Sequence, residues 1–167
     1  FVWQVGSTYY AVGTGDVDSR TIDGRPGVFQ LLTSPDLLSW TPVAAALEQL
    51  EPEFGGSYWA PEVAYAEGHY WLYYSVGRED KAHHLRVAQS AKPEGPYRDT
   101  GVTLTDPFSC PFAIDASPFQ DDDGEWYLFY ASDFLDEANG FRVGTGVVVD
   151  RLRSMTSLAG GSRAVAR

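Results

Sequence analysis

Three times along this chain a turn glycine is followed by a run of aromatic and β-favouring residues. The segments are Gly6-Ser7-Thr8-Tyr9-Tyr10-Ala11-Val12, Gly68-His69-Tyr70-Trp71-Leu72-Tyr73-Tyr74 and Gly124-Glu125-Trp126-Tyr127-Leu128-Phe129-Tyr130. Such runs pack well on a pleated, half-buried surface, and a glycine supplies the positive φ of a tight turn. Extended residues precede the second and third glycines, Val63 to Ala66 and Ser117 to Gln120, so both units read as hairpins. Anchored on Tyr9, Tyr70 and Trp126, the units recur after 61 and 56 residues. A later strand completes each: Val28 to Ser34, Leu85 to Ser90 and Val143 to Asp150. Polar loops, Gly15 to Gly27 and Gly77 to Lys81, separate strands from hairpins. Helical periodicity is nearly absent; Leu47 to Leu50 is too short, and Arg151 to Leu158 has room for one turn.

This periodicity predicts an all-β chain of about three units, each of about four short strands, which is the unit of a β-propeller. The units fall at about 1–50, 51–107 and 108–167 of the 167 residues. Propellers close with about 4–8 blades, because closure protects the sheet edges. Three blades leave two faces bare, so the expectation is part of a larger protein or an association of copies. The first residue is Phe1 and no leader pattern is visible, which leaves secretion and cytoplasm both open. The other fold consistent with the pattern is a compact β-sandwich.

Composition narrows the function. With 12 Lys+Arg against 23 Asp+Glu the formal charge is −11, which argues against nucleic acid and against an anionic membrane surface. A single cysteine, Cys110, excludes an internal disulfide framework and any multi-cysteine metal site.

The residues able to carry chemistry sit at repeated positions. Trp59 and Asp115 each lie nine residues before their unit's glycine, at the start of a strand that would line a central channel. One more period in either direction points ahead of Phe1 and beyond Arg167. Asp115 stands in the apolar run Pro111 to Phe119, where a buried carboxylate needs a hydrogen-bonding or charged partner. It is a candidate functional group; alternatively it satisfies backbone N–H groups where a loop enters a strand. Trp59 offers an apolar face and an N–H donor suited to a sugar ring; alternatively it is a core tryptophan, as Trp40, Trp71 and Trp126 are expected to be. Glu62 is expected to be structural, with an arginine as one available partner. Asp121-Asp122-Asp123-Gly124 reads as a hairpin turn and not as a calcium loop. His83 and His84 are adjacent, so on a strand they point to opposite faces and cannot chelate one ion. Cys110 is expected to be a buried thiol. No metal site is assigned.

The motifs Trp59-Ala60-Pro61-Glu62-Val63, Ile114-Asp115-Ala116-Ser117-Pro118-Phe119 and Asp122 to Leu128, in this order and at blade spacing, resemble glycoside hydrolase family 43. The resemblance runs from Phe1 to about Leu158 and implies a five-bladed propeller acting on arabinose- and xylose-containing glycans. It implies an oligo- or polysaccharide as substrate; no cofactor is assigned. Of the family's three acidic residues only the one that tunes and orients the general acid maps here, onto Asp115. Trp59 matches the aromatic that packs beside the bound sugar. The general base is implied just ahead of Phe1 and the general acid shortly after Arg167, so the 167-residue chain alone is expected to be inactive. The implied reaction is inverting hydrolysis, with the two catalytic carboxyl groups roughly 6.5–9.5 Å apart to admit a water. Two further readings stand beside it: a non-catalytic carbohydrate-binding propeller fragment and a protein-interaction propeller.

Overall fold

The computed structural model describes residues 1–15, 18–134 and 143–166. It is all-β among those residues apart from one 3-10 turn, Pro52–Phe54. No helix among them is long and apolar enough to cross a membrane. The strands form three antiparallel sheets built on one plan.

The first sheet holds β1 (Val2–Val5), β2 (Thr8–Val12), β3 (Asp18–Ile22), β4 (Arg25–Ser34) and β5 (Thr41–Glu48). Its order is β1-β2-β4-β5, with β3 folded back on the start of β4. The second holds β6 (Ser57–Ala66), β7 (His69–Arg78), β8 (Lys81–Ser90) and β9 (Arg98–Thr103), in chain order. The third holds β10 (Ala113–Gln120), β11 (Trp126–Phe134) and β12 (Gly144–Ser154). Two short strands, β13 (Ser157–Leu158) and β14 (Arg163–Ala166), both pair with β12.

Three sequence expectations change here. The segment from Gly15 to Gly27, of which residues 16 and 17 lie outside the described part, is not simply a loop. It contains β3, whose Ile22 pairs with Arg25 across an Asp23-Gly24 turn. Gly77 to Lys81 is likewise mostly strand, because the long hairpin β7–β8 closes at Arg78 opposite Lys81. The stretch Arg151 to Leu158 makes no helical turn, since β12 runs on to Ser154 and turns into β13.

The sheets pack face to face, and the second is covered on both sides. Along β7 every residue from Trp71 to Val76 is buried. Leu72, Tyr74 and Val76 face the first sheet and meet Val28, Phe29, Leu31 and Leu47. Trp71 and Tyr73 face the third sheet and meet Ala113, Leu128, Val148 and Met155. Alternation along a strand assigns neighbouring residues to opposite faces, so a strand covered twice reads as a continuous apolar run. Each large side chain buried this way contributes about 1.5–3 kcal/mol. Trp71 is core as expected, whereas Trp40 is half-buried in the loop between β4 and β5, its indole N–H bonded to the Leu37 carbonyl (3.1 Å).

Polar ties cross the joins. The Tyr97 N–H donates to the Ala46 carbonyl (2.8 Å), linking the second sheet to the first. The Tyr73 hydroxyl donates to the Met155 carbonyl (2.8 Å), linking the second to the third. Within the second sheet, buried Arg86 donates to both oxygens of Asp99 (2.6 and 3.1 Å) and to Thr103 Oγ1 (2.8 Å). The Tyr74 hydroxyl adds a 2.5 Å bond to Asp99, and the Phe54 ring covers the guanidinium at 4.4 Å.

Candidate active site

The first strands of the second and third sheets are broken in the same way. In β6, Trp59 pairs with Ser75 but Glu62 pairs with Tyr73, so one residue is extra. In β10, Ile114 pairs with Ala131 but Ser117 pairs with Phe129, again one extra. Each is a β-bulge, a device that re-aims side chains. The residue entering each bulge is left-handed: Ala60 has φ 45° and Asp115 has φ 57°. Side chains rarely adopt this conformation, and holding one costs of order 1–3 kcal/mol.

The bulges correct the counting of equivalent positions. Ala60, not Trp59, is the counterpart of Asp115, and Ser117 is the counterpart of Glu62. Counting from the glycines fails by one residue because the turns differ. Ala66 pairs with His69 across a two-residue turn, whereas Gln120 pairs with Trp126 across a five-residue turn. The aspartates of that longer turn bond its own backbone. Asp121 Oδ1 accepts from the Asp122 N–H and Asp123 Oδ1 from the Glu125 N–H (2.8 and 2.9 Å).

A cavity of about 270 Å³ opens where the sheets converge, lined by Phe1, Gly13 and Thr14 from the first, Ala60, Pro61 and Glu62 from the second, and Asp115 from the third. Thr14 Oγ1 accepts the Ala60 N–H (2.9 Å) and so ties the first bulge to the first sheet. The Ser117 hydroxyl donates to Glu62 Oε2 (3.0 Å) and joins the two bulges.

Asp115 is exposed although its neighbours Ala113 and Ala116 are fully buried. The bulge accounts for this: the left-handed turn swings its side chain out of the apolar run. Its carboxylate accepts no hydrogen bond among the described residues, so backbone satisfaction does not explain it. Glu62 is half-buried, and its partner is a serine, not an arginine. Burial raises its pKa, the Ser117 bond opposes that, and the Asp115 charge adds to it.

Trp59 lies just outside the lining of this cavity, one residue before Ala60. It is half-buried and stacks on His83 with ring centroids 3.8 Å apart and planes 24° apart. His83 is fully buried and meets the edge of Phe112 at 5.8 Å. Its Nε2 lies 2.8 Å from the Glu79 carbonyl. A carbonyl can only accept, so Nε2 carries the proton and Nδ1 is bare, in keeping with the unpartnered state of that atom. Burial lowers the His83 pKa, keeping the ring neutral at pH 7. The close approach depends on Gly77, where a Cβ would stand 2.5 Å from the imidazole. The row Trp59–His83–Phe112 thus leads from the first bulge to the strand carrying the second. The structure therefore brings Trp59 and Asp115 to the same end of adjacent strands.

Thr14, Glu62 and His83 were not singled out for this site from sequence. Glu62 carried no usable signal, since its match to Ser117 is defined by bulges that only the strand pairing reveals. His83 carried none, because its stacking depends on a neighbouring strand. A larger cavity of about 810 Å³ lies over the third sheet, with Cys110, Ser132 and Asp150 in its wall. It is chemically quieter. Asp150 accepts the Gly160 and Gly161 N–H groups (3.0 and 3.2 Å), and burial pushes the Cys110 thiol pKa up.

The stacked sheets resemble those of solved glycoside hydrolases. A thermostable family-43 glycoside hydrolase of solved structure superposes with a TM-score of 0.77 at 25% identity, over 99% of this chain and 52% of that one. The profile described as Glycosyl hydrolases family 43 matches residues 1–161, and the chain belongs to that family. It is 31% identical over 138 residues to the extracellular endo-alpha-(1->5)-L-arabinanase 1 of Bacillus subtilis, covering 76% of this chain and 40% of that protein. It is 36% identical over 115 residues to the beta-D-galactofuranosidase xynD of Aspergillus niger, covering 61% of this chain and 34% of that protein. The chain thus spans about half or less of the proteins it matches.

Proposed function

We propose that the protein containing this chain hydrolyses arabinose- or xylose-containing glycans by inverting acid/base catalysis on a five-bladed propeller, of which residues 1–167 form about three blades. Asp115 is the carboxylate that tunes and orients the general acid, and Trp59 packs against a bound sugar. The observation that carries this reading is the position of Asp115. It is an exposed carboxylate, unpaired among the described residues, at a strained bulge, facing a cavity to which all three sheets contribute. Strain of this kind persists where the surrounding structure enforces it, and it gathers at functional sites.

The chemistry needs more than one carboxylate. A general acid protonates the leaving oxygen, a general base activates water on the other face of the ring, and the two stand roughly 6.5–9.5 Å apart. In this reading both come from parts of the family's fold outside the present sequence. Asp115 then acts by charge: a carboxylate beside the acid holds that acid protonated through like-charge repulsion.

The test is hydrolysis of aryl α-L-arabinofuranosides and aryl β-D-xylosides by the full-length protein and its Asp115→Asn variant. The variant is expected to lose about 10²–10⁴-fold in kcat, the range of acid–base contributions, with the acidic and basic limbs of the pH profile drawn closer together. Unchanged kcat and pH profile refute the role. Turnover by the 167-residue chain alone refutes the assignment of acid and base to other parts of the fold.

A further inference from the structure

The Glu62 carboxylate stands between the two inner-strand bulges, and its only hydrogen-bond partner among the described residues is the hydroxyl of Ser117. We propose that Glu62 is a positioning residue: by accepting the Ser117 hydroxyl across the join between the second and third sheets, it fixes the bulge of β10 against that of β6 and so sets where the Asp115 carboxylate stands. The proposal deepens the functional reading above and rests on it.

Three observations carry it. First, Glu62 and Ser117 are the residues at which each strand regains its pairing after the bulge, opposite Tyr73 and Phe129. A bond between them links the two irregularities at their ends, where a shift of one strand would otherwise reach Asp115 unopposed. Second, the strained residues are held unequally. Ala60 is tied through its N–H to Thr14. The Asp115 carboxylate accepts no hydrogen bond among the described residues. Asp115 is constrained on one side by buried Ala116 and beyond that by the tied Ser117. A left-handed residue keeps its conformation only when its neighbours over-determine it, so the Ser117 tie carries that duty for Asp115.

Third, Glu62 occupies a costly place. Its carboxylate is half-buried, lines the same cavity as Asp115, and pairs with no lysine or arginine side chain among the described residues. A hydrogen bond to a charged group is stronger than a neutral one and offsets part of this cost. A group kept at such a position has a use there. The feature that distinguishes this position is the reach from one bulge to the other.

The experiment compares Glu62→Gln, Glu62→Ala, Ser117→Ala and the Glu62→Ala/Ser117→Ala double variant in the full-length protein on the same aryl glycosides, with Asp115→Asn in parallel. Displacing a catalytic group by about 1 Å costs on the order of 10²-fold, so Glu62→Ala and Ser117→Ala are expected to lose about 10- to 100-fold in kcat with KM within about threefold. Gln retains a carbonyl acceptor for the hydroxyl and should restore kcat to within about threefold of the parent. The double variant should be no worse than either single variant, because one bond is lost in each case. Amide hydrogen exchange at Ala116 and Ser117 gives a readout independent of turnover; it should quicken in both alanine variants and not in Glu62→Gln. If Asp115→Asn loses turnover while Glu62→Ala and Ser117→Ala retain kcat and exchange, the positioning role alone is overturned. If Asp115→Asn is silent, the reading of the site is overturned and the positioning role falls with it. Losses in the two alanine variants that multiply in the double variant, or that Gln does not rescue, also overturn it.

Discussion

Acidification should loosen the Trp59 platform through His83, by an amount that can be bounded. The imidazole is fully buried, donates from Nε2 to the Glu79 carbonyl and leaves Nδ1 without a partner. A second proton on Nδ1 would be a buried donor with nothing to accept it, and burial already lowers the His83 pKa from its usual 6.5. The folded state therefore resists protonation while the unfolded state takes it up freely. A base with a depressed folded pKa contributes stability that is present above pH 6.5 and is lost as pH falls toward the folded value. Whatever the folded value, linkage caps the loss from pH 6.5 to 5.5 at about 1 kcal/mol for this one residue. The comparison is His83→Phe, which keeps a ring against Trp59 but cannot titrate. The variant should be less stable at all pH values, because the Glu79 carbonyl loses its donor. Its stability should fall less between pH 6.5 and 5.5, by up to about 1 kcal/mol. Urea unfolding at the two pH values, followed by tryptophan emission, measures both quantities. Equal losses for parent and variant would refute the assignment of a buried neutral His83.

Other expectations follow from the packing and the site. Arg86→Met leaves Asp99 in a site where the arginine side chain is 3% exposed and the aspartate 11%; the loss should be about 3–5 kcal/mol by urea unfolding, and pairing it with Asp99→Leu should recover much of that. A loss below about 1 kcal/mol for the single variant would count against a desolvated pair. Gly77→Ala places a methyl 2.5 Å from the His83 ring, which must move and take Trp59 with it; a shift in Trp59 emission, tested against Trp59→Phe, reads this out. Glu62 has its pKa raised, so the folded state holds its proton more tightly and stability falls as pH rises through that interval. Glu62→Gln removes this titration, so its stability relative to the parent should be more favourable at pH 7 than at pH 4. A difference that does not change with pH would contradict the direction of the shift.

The strand runs were legible because a dense run of aromatic, β-favouring residues after a turn glycine has few other uses, and Tyr70 to Tyr74 is such a strand; that it is covered on both faces came only with the neighbouring sheets. Turn glycines were legible for the same local reason. What could not be read was anything set by a neighbour. The bulges at Trp59–Glu62 and Ile114–Ser117 exist because partner strands skip a residue, and no local residue type announces that. This is why Asp115 was expected to be costly to bury and is instead exposed, and why counting from the glycines matched it to Trp59 when its counterpart is Ala60. The stack of Trp59 on His83 was hidden likewise, since it needs a glycine on the strand between them. The partner of Glu62 was not foreseen, because an acidic residue on a strand more often meets a cation than a hydroxyl from the next sheet.

The left-handed residue at the head of each bulge has a further consequence. Two such residues, a methyl-bearing alanine in one sheet and a carboxylate-bearing aspartate in the next, share one backbone conformation. The main chain and the ties around it, not the side chain, make the fixture, and the side chain is what plugs into it. A repeated scaffold of this sort can exchange an inert plug for a charged one without rebuilding the wall that holds it, so chemistry can be dealt to one blade and withheld from its neighbour by a single codon.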